Sequence, residues 1–372
     1  MTKEWTHLHA QLHRTLLHRK ILPPNQRLLV AVSGGQDSLC LIKLLLDLQP
    51  KWGWHLAISH CDHRWRSDSE ANAIHVENLA KNWGISYYLQ TADRTPKTEA
   101  VARKWRYQTL TEIAIANNYS CIVTGHTASD RAETLLYNLI RGTGADGLCA
   151  LTWQRPLFDF RLGNSEENHN SQISADFRLG NSGENPQSKI QNLKSKIYLV
   201  RPLLEITRVQ TGQFCQEQKL PIWEDSTNQN LQYARNRIRS ELLPYLETHF
   251  NPQTQQALAQ TAELLRADVE YLELAASDLL QRAISPINAQ NQINFQLPVK
   301  LNRPLLREAP QALQRRAMRQ LLQQILPAAP SFASVEKLAD LIAAPNRSQT
   351  DPFPGGAIAR VEHPSIILDL KF

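Results

Sequence analysis

Residues 28–46 read "LLVAVSGGQDSLCLIKLLL": an apolar run enters a knot of Ser, Gly, Gln and Asp, and a second apolar run leaves it. Leu28 to Val32 has the length of a buried strand, and Leu39 to Leu48 spaces its apolar residues as a helix does. In a parallel sheet, ligands bind where loops leave the carboxyl ends of strands, and Ser33–Ser38 sits at such a place. The glycines let backbone come close to a phosphate, successive N–H groups form an anion nest, and the helix presents its positive end. The same letters also suit a plain strand-to-helix turn with Asp37 or Ser38 as N-cap, and at this point both readings stand.

The loop lacks the lysine of G-x-x-x-x-G-K-[ST] and the third glycine of G-x-G-x-x-G, so neither of those phosphate-binding patterns fits. Asp37 beside a phosphate is repulsive unless a divalent cation bridges them, which assigns Asp37 to Mg2+ and the loop to a magnesium-bridged nucleotide.

Around this unit, strand-like runs recur at His55–Ser59, Ile85–Leu89 and Cys121–Thr124, with helix-like runs at Glu70–Trp83, Glu99–Asn117 and Ala132–Ile140. Strands separated by helix-length connections imply right-handed crossovers, hence a doubly wound α/β domain built on a parallel sheet. Order breaks at about 159–196, where "DFRLGNSEEN" returns as "DFRLGNSGEN". So polar a stretch buries too little surface to offset its ordering entropy, and it reads as a disordered insertion. Order resumes at "IYLVRPLLEI", a strand leading into a helix. The predicted organisation is a catalytic domain over 1–220, a smaller, mainly helical domain over 221–345 with apolar residues at three and four spacings, and a small β appendage over 346–372.

The chain has 372 residues, a net charge of +6 and five scattered cysteines without a C-x-x-C pair. That pattern predicts reduced structural thiols and a cytoplasmic protein, with no signal peptide and no membrane span. Net positive charge is compatible with a polyanionic partner. His9 and His13 are spaced for a metal but lack a third ligand, so the N-terminus reads as an amphipathic helix with Leu8, Leu12 and Leu16 inward.

Other predicted strand ends carry matching chemistry. "SHCDHRWR" brings Asp62 and His63, and "TGHTASDRAETLLYNLIRGTG" brings His126, then Asp130 and Glu133 on one helix face. Each has a plain reading, Asp130 as N-cap and Glu133 as its capping-box partner among them, but together they mark one edge of the sheet.

With these residues in view, "SGGQDS" after a buried strand resembles the PP-loop of the N-type ATP pyrophosphatase superfamily. "HCDHRWR", "EAVARKWRY", "GHTASDRAETLLYNLIRGTGADGL", "RPLLEITR" and "EDSTNQNLQYARNRIRSELLP" together resemble the tRNA(Ile)-lysidine synthase family over most of residues 25–250. The resemblance implies a carbon–nitrogen ligase that uses ATP and Mg2+. In that chemistry the C2 oxygen of the wobble cytidine in a CAU anticodon attacks the α-phosphate, and free L-lysine then displaces AMP. It assigns Ser33, Gly34, Gly35, Gln36, Asp37, Ser38, Asp62 and His63 to the nucleotide, and His126, Asp130 and Glu133 to the reacting site. Arg103 and Arg106 are assigned to the α-phosphate or the tRNA, and Glu133 and Glu205 to the lysine ammonium. Arg201, Arg208, Arg235, Arg237 and Arg239 are expected to face RNA, with Arg315, Arg316 and Arg319 extending that surface. Where the family often carries an acidic pair, this chain has Ser129 before Asp130, which leaves any second charge at 129 missing. A homodimer is one open arrangement. Rival readings are a sulfur-transferring tRNA enzyme on the same fold, for which no cysteine is suitably placed, and a non-catalytic ATP-binding adaptor.

Overall fold

The computed structural model describes residues 5–157, 197–224, 231–284 and 297–370. The polar repeat of 159–196 lies outside the described residues. Two compact units emerge, and the division falls at Leu265/Arg266 within one long helix.

The first unit is organised by β1 (Arg27–Ala31), β2 (His55–Asp62), β3 (Ser86–Thr91), β4 (Cys121–Thr124), β5 (Gln154–Leu157) and β6 (Ile197–Val200). They form one sheet in the order β3-β2-β1-β4-β6-β5, parallel except for β5, which runs antiparallel to β6 at the edge. Pro156 in β5 suits that edge position, because proline has no N–H to give an inner ladder. The chain moves outward one way from β1 to β3 and then returns to place β4 on the other side of β1. The carboxyl ends of β1 and β4 therefore flank the switch point of the topology, where an α/β sheet opens a crevice.

Both faces of the sheet are buried, as the apolar runs require. Leu28 and Val30 of β1 join one core with Leu8, Leu12, Leu16, Leu41 and Phe214, whereas Leu29 joins another with Tyr107, Leu110 and Ile122. The first core is covered by α1 (His7–Arg19), α2 (Gln36–Trp52), α3 (Ser69–Trp83) and α7 (Arg208–Glu217), and the second by α4 (Glu99–Ala116). α5 (Ala128–Ile140) follows β4, and the short α6 (Ala145–Leu148) follows α5. Ala132 and Leu136 of α5 pack on Ile238 and Leu243. Those two residues belong to a helical run made of α8 (Ala234–Arg237), a π-helical turn (Ile238–Leu242) and α9 (Leu243–His249). The long α10 (Thr254–Ala283) comes next.

The second unit pairs β7 (Val299–Asn302) and β8 (Ala357–Glu362) antiparallel on either side of β9 (Ser365–Leu370). Its core joins Leu301, Ile366 and Leu368 of that sheet to Met318 and Leu321 of α12 (Gln311–Ile325) and Leu338 of α13 (Phe332–Asp340). The short α11 (Arg303–Glu308) lies between β7 and α12. No helix among the described residues is long and apolar enough to cross a membrane. All five cysteines are free thiols.

Candidate active site

A cleft of about 470 Å3 opens at the switch point, lined by residues from the loops after β1, β2 and β4 and from α4, α7 and α8. α2 begins earlier than its apolar pattern indicated, at Gln36, with Gly35 as N-cap, so Gly35 to Ser38 form its first turn. Gly34 has φ +87°, a conformation open to glycine, and a side chain there would strike Asn72. The hydroxyls fold the loop onto itself: Ser33 N donates to Ser38 Oγ at 3.2 Å, and Ser38 Oγ donates to Gly35 O at 2.8 Å. Asn72 Nδ2 donates to Ser33 O (2.9 Å), and Trp223 N to Gly34 O (3.0 Å), which clamps the loop from α3 and from beyond α7. A Cβ on Gly125 would lie 2.8 Å from Asp37 O, so the loop after β4 approaches the start of α2 backbone to backbone.

Asp37 is buried at the head of α2. Its Oδ2 pairs with Arg208 Nη2 at 2.9 Å, and its Oδ1 accepts from Thr211 Oγ1 at 2.5 Å. Burial pushes its carboxyl above the usual range, Arg208 and Thr211 pull it back, and Asp130 adds to the rise. Gln36, expected at the nucleotide, lines the cleft and also reaches α7, where its Nε2 donates to Arg208 O (2.6 Å) and Thr211 Oγ1 (2.8 Å). That anchors the residues that hold Asp37.

After β2, Asp62 Oδ1 accepts from Arg64 N at 2.8 Å, closing an Asx turn. His63 donates from Nδ1 to Cys61 O (3.0 Å), with its ring set edge-on between Trp65 and Trp105. Burial, then Arg106, depresses its pKa to about 4. His60, which the sequence did not single out, is buried with Nδ1 donating to Val32 O at 2.8 Å, tying β2 to the end of β1.

After β4, Thr127 rather than Asp130 caps α5. Asp130 is its capping-box partner at N3, with Oδ2 accepting from Thr127 N and Oγ1 at 2.8 Å each. Glu133 plays no capping part. It is 1% exposed and accepts from Arg235 Nε (2.9 Å) and from Arg239 Nε and Nη2 (2.6 and 2.9 Å). Arg235 also reaches Asp130 Oδ1 at 3.2 Å. Burial opposes Asp130's charge, but the surrounding positive charge, Arg235 among it, and the Thr127 N–H outweigh it and hold its carboxyl below the usual range. His126 shares a 2.9 Å hydrogen bond with Thr124 Oγ1, and burial followed by Arg201 drives its pKa well below the ordinary imidazole value. The ring is neutral at pH 7.

Some expected roles change. Arg235, Arg239 and Arg208 point at the carboxylates, while Arg237 alone of that group is exposed. Arg201, expected to face RNA, is 2% exposed and donates to Thr152 O (2.8 Å) and Oγ1 (3.2 Å). It is an interior residue because β6, which leads into it, is an inner strand. Arg106 lines the cleft with its Nε buried and unpartnered, whereas Arg103 is exposed and lies over Tyr107. Glu133, proposed for the lysine ammonium, has both oxygens occupied, and Glu205 pairs with Arg19 (2.7 Å) and is not among the residues lining the cleft. In the second unit, Arg315 pairs with Glu336 (2.6 Å), and Arg316 and Arg319 pair with Glu273, so they bind their own unit. His9 is buried with Nε2 3.2 Å from Asp47 Oδ2, and His13 accepts from Trp52 Nε1, which accounts for both without a metal.

Residues 6–246 match the model of a PP-loop domain, and residues 301–363 match that of the TilS substrate binding domain. The chain is 61% identical over 368 residues to a protein of a Nostoc species named tRNA(Ile)-lysidine synthase, covering 98% of this chain and 97% of that one. It is 48% identical over 358 residues to the protein of that name from a Synechocystis species, covering 96% of each, and 42% identical to a chloroplastic one from Zygnema circumcarinatum, covering 88% of this chain and 78% of that one. Among solved structures, the U34-tRNA thiolase NcsA from Methanococcus maripaludis aligns at TM-score 0.52 and 16% identity, covering 69% of this chain and 78% of that one, a likeness of fold. With two family models in register and near full-length relatives at this identity, the chain belongs to the tRNA(Ile)-lysidine synthase family of PP-loop proteins.

Proposed function

We propose that this chain joins free L-lysine to C2 of the wobble cytidine in the CAU anticodon of an isoleucine tRNA, through an adenylated cytidine. The observation that carries the reading is the meeting of the Ser33–Ser38 loop with His126 and Asp130 in one cleft at the switch point, in a chain whose relatives bear that name.

In this reading the N–H groups of the loop, with Ser33 and Ser38, cradle the phosphates of ATP at the positive end of α2. Among the described residues no group of three His, Cys, Asp or Glu side chains forms a metal cage. That fits Mg2+, which arrives with phosphate oxygens and water and asks only one or two carboxylates of the protein. Asp37, desolvated and held by a displaceable guanidinium, is the carboxylate that would hold it, and the ion would supply charge neutralisation at the phosphates. Asp62 and His63 would border the nucleoside end. The cytidine C2 oxygen forms a bond to the α-phosphorus as the bond to pyrophosphate breaks. Arg106, with its unpartnered Nε, and Arg103 stabilise the charge that develops. Neutral His126 and Asp130 orient the base, and Glu133 acts from behind by fixing Arg235 and Arg239. Arg208 and exposed Arg237 bind the RNA backbone.

The test is incubation with ATP, Mg2+, radiolabelled lysine and a CAU-anticodon isoleucine tRNA transcript. Label should enter the RNA only when ATP is present, and Asp37→Ala should abolish it while tRNA affinity holds. Label-free RNA with intact wild-type protein sinks the reading.

A further inference from the structure

Two guanidiniums flank one buried phenol at the wall of the cleft, and two more arginines act on its charge. Tyr107 on α4 is 5% exposed and lines the cleft with His126 and Asp130. The guanidinium carbons of Arg103 and of Arg155, from β5, lie 5.7 and 5.1 Å from its ring centroid. Arg201, buried at the end of β6, and Arg106, the residue before Tyr107, add their charge to it. These four arginines, from α4, from β5 and from the end of β6, are the charges that act on it most strongly. Such a cluster stabilises an anion, and the phenol oxygen is where the anion would reside.

Attack by lysine on the adenylated cytidine needs a base. Lysine's ε-ammonium ionises near 10.4 in water and must shed a proton before its nitrogen can attack. The other candidates in the cleft are poor acceptors. His126 and His63 are held below the ordinary imidazole range, Asp130 below the ordinary carboxylate range, and both Glu133 oxygens are taken by Arg235 and Arg239. A base works best when its conjugate acid ionises near the working pH.

Resting on that reading of the reaction, we propose that Tyr107, as its phenolate, is the general base that takes a proton from the ε-ammonium of the incoming lysine. The freed lone pair forms the N–C2 bond, and the C2–O bond breaks with its electron pair leaving on AMP. A second proton passes from the nitrogen to the departing phosphate, and the phenol returns its own proton to water through the cleft. Burial alone would push the phenol up, but the four guanidiniums outweigh it and bring the pKa to about 7, in the range the step needs.

Tyr107→Phe keeps the ring and removes the oxygen, and the two halves of the reaction separate its effects. Without lysine, the variant should release pyrophosphate and form adenylated tRNA within a few-fold of wild type. Lysine transfer from that adduct should fall by about 100-fold or more near pH 7, and the deficit should shrink as pH approaches lysine's own ionisation. An alkoxyamine, uncharged at neutral pH, should react with both proteins alike. With 3,5-difluorotyrosine at position 107, the inflection of transfer rate against pH should move to lower pH. The proposal is overturned if Tyr107→Phe transfers lysine near the wild-type rate at pH 7, if it loses adduct formation to the same extent, or if the difluorinated protein keeps its inflection. If wild-type protein forms no adduct at all, the parent reading fails and this one falls with it.

Discussion

Glu263→Ala should weaken the scaffold behind α5, and the structure sets the size of the effect. The carboxylate of Glu263, in α10, pairs with Arg19 Nη1 (2.7 Å) and Arg131 Nη2 (2.9 Å) and accepts from Trp153 Nε1 (2.9 Å), so α1, α5 and the segment before β5 all meet on it. Arg131 sits between Asp130 and Glu133 in sequence, and its side chain is 2% exposed. After truncation its guanidinium keeps the Leu151 carbonyl but loses the Glu263 carboxylate. Breaking a buried pair from one side costs about 3–5 kcal/mol. Because the Glu263 side chain is 30% exposed, water replaces part of the loss, and about 3 kcal/mol is the expected cost. For a unit of this size that lowers Tm by roughly 6 to 12 °C. The pH dependence has a definite sign. Burial raises the Glu263 carboxyl, but Arg131, Trp153 and Arg19 together hold it below its ordinary value. Its contribution is therefore complete above the unfolded-state pKa and disappears as pH falls through the folded-state pKa, so variant and wild type should converge in acid. Calorimetry from pH 8 to pH 3 measures both effects, and a double-mutant cycle with Arg131→Met isolates the pair. A Tm unchanged at pH 7, or a difference that grows in acid, would refute the reasoning.

Three further outcomes follow from the same geometry. Gly125→Ala inserts a methyl 2.8 Å from Asp37 O, so the start of α2 must shift; ATP affinity, read by calorimetric titration, should fall about tenfold with a stability loss of about 1–3 kcal/mol. Arg237→Ala, on the exposed side, should leave Tm unchanged and reduce the salt slope of tRNA binding by about one, whereas Arg239→Ala, facing buried Glu133, should lower Tm; equal behaviour of the two contradicts the inward and outward assignment. His63 ionises near 4 when folded and near 6.5 when unfolded, so its neutral ring contributes fully above pH 6.5 and less as pH falls toward 4. His63→Gln should flatten the acid side of a urea-unfolding profile by on the order of 2 kcal/mol, allowing for water at one ring edge.

The sheet was legible because β1 and β4 are buried on both faces and centre on short apolar runs, as does β2 on Leu56–Ile58. Leu28, Leu29 and Val30 divide between two cores, yet all are apolar. The loop after β1 was legible from its glycines, and Asp130 and Glu133 from their spacing. The edge strand Gln154–Leu157 was not, since four residues with a proline carry no period to detect. Missing that strand hid the interior position of Arg201, which donates to Thr152 just before it. The inward aim of Arg235 and Arg239 had a signal, because residues four apart share a helix face while Arg237 points elsewhere. Thr211, Trp223 and His60 carry no local mark. They reach Asp37, Gly34 and Val32 only through tertiary folding.

The most direct test of the central claim is mass spectrometry of nucleosides from a CAU-anticodon isoleucine tRNA transcript after reaction with this protein, ATP, Mg2+ and lysine. The expected product is a cytidine heavier by one lysine less one water, confined to the wobble position and absent without ATP. An unmodified wobble cytidine, or one in which oxygen has been exchanged for sulfur, would contradict it.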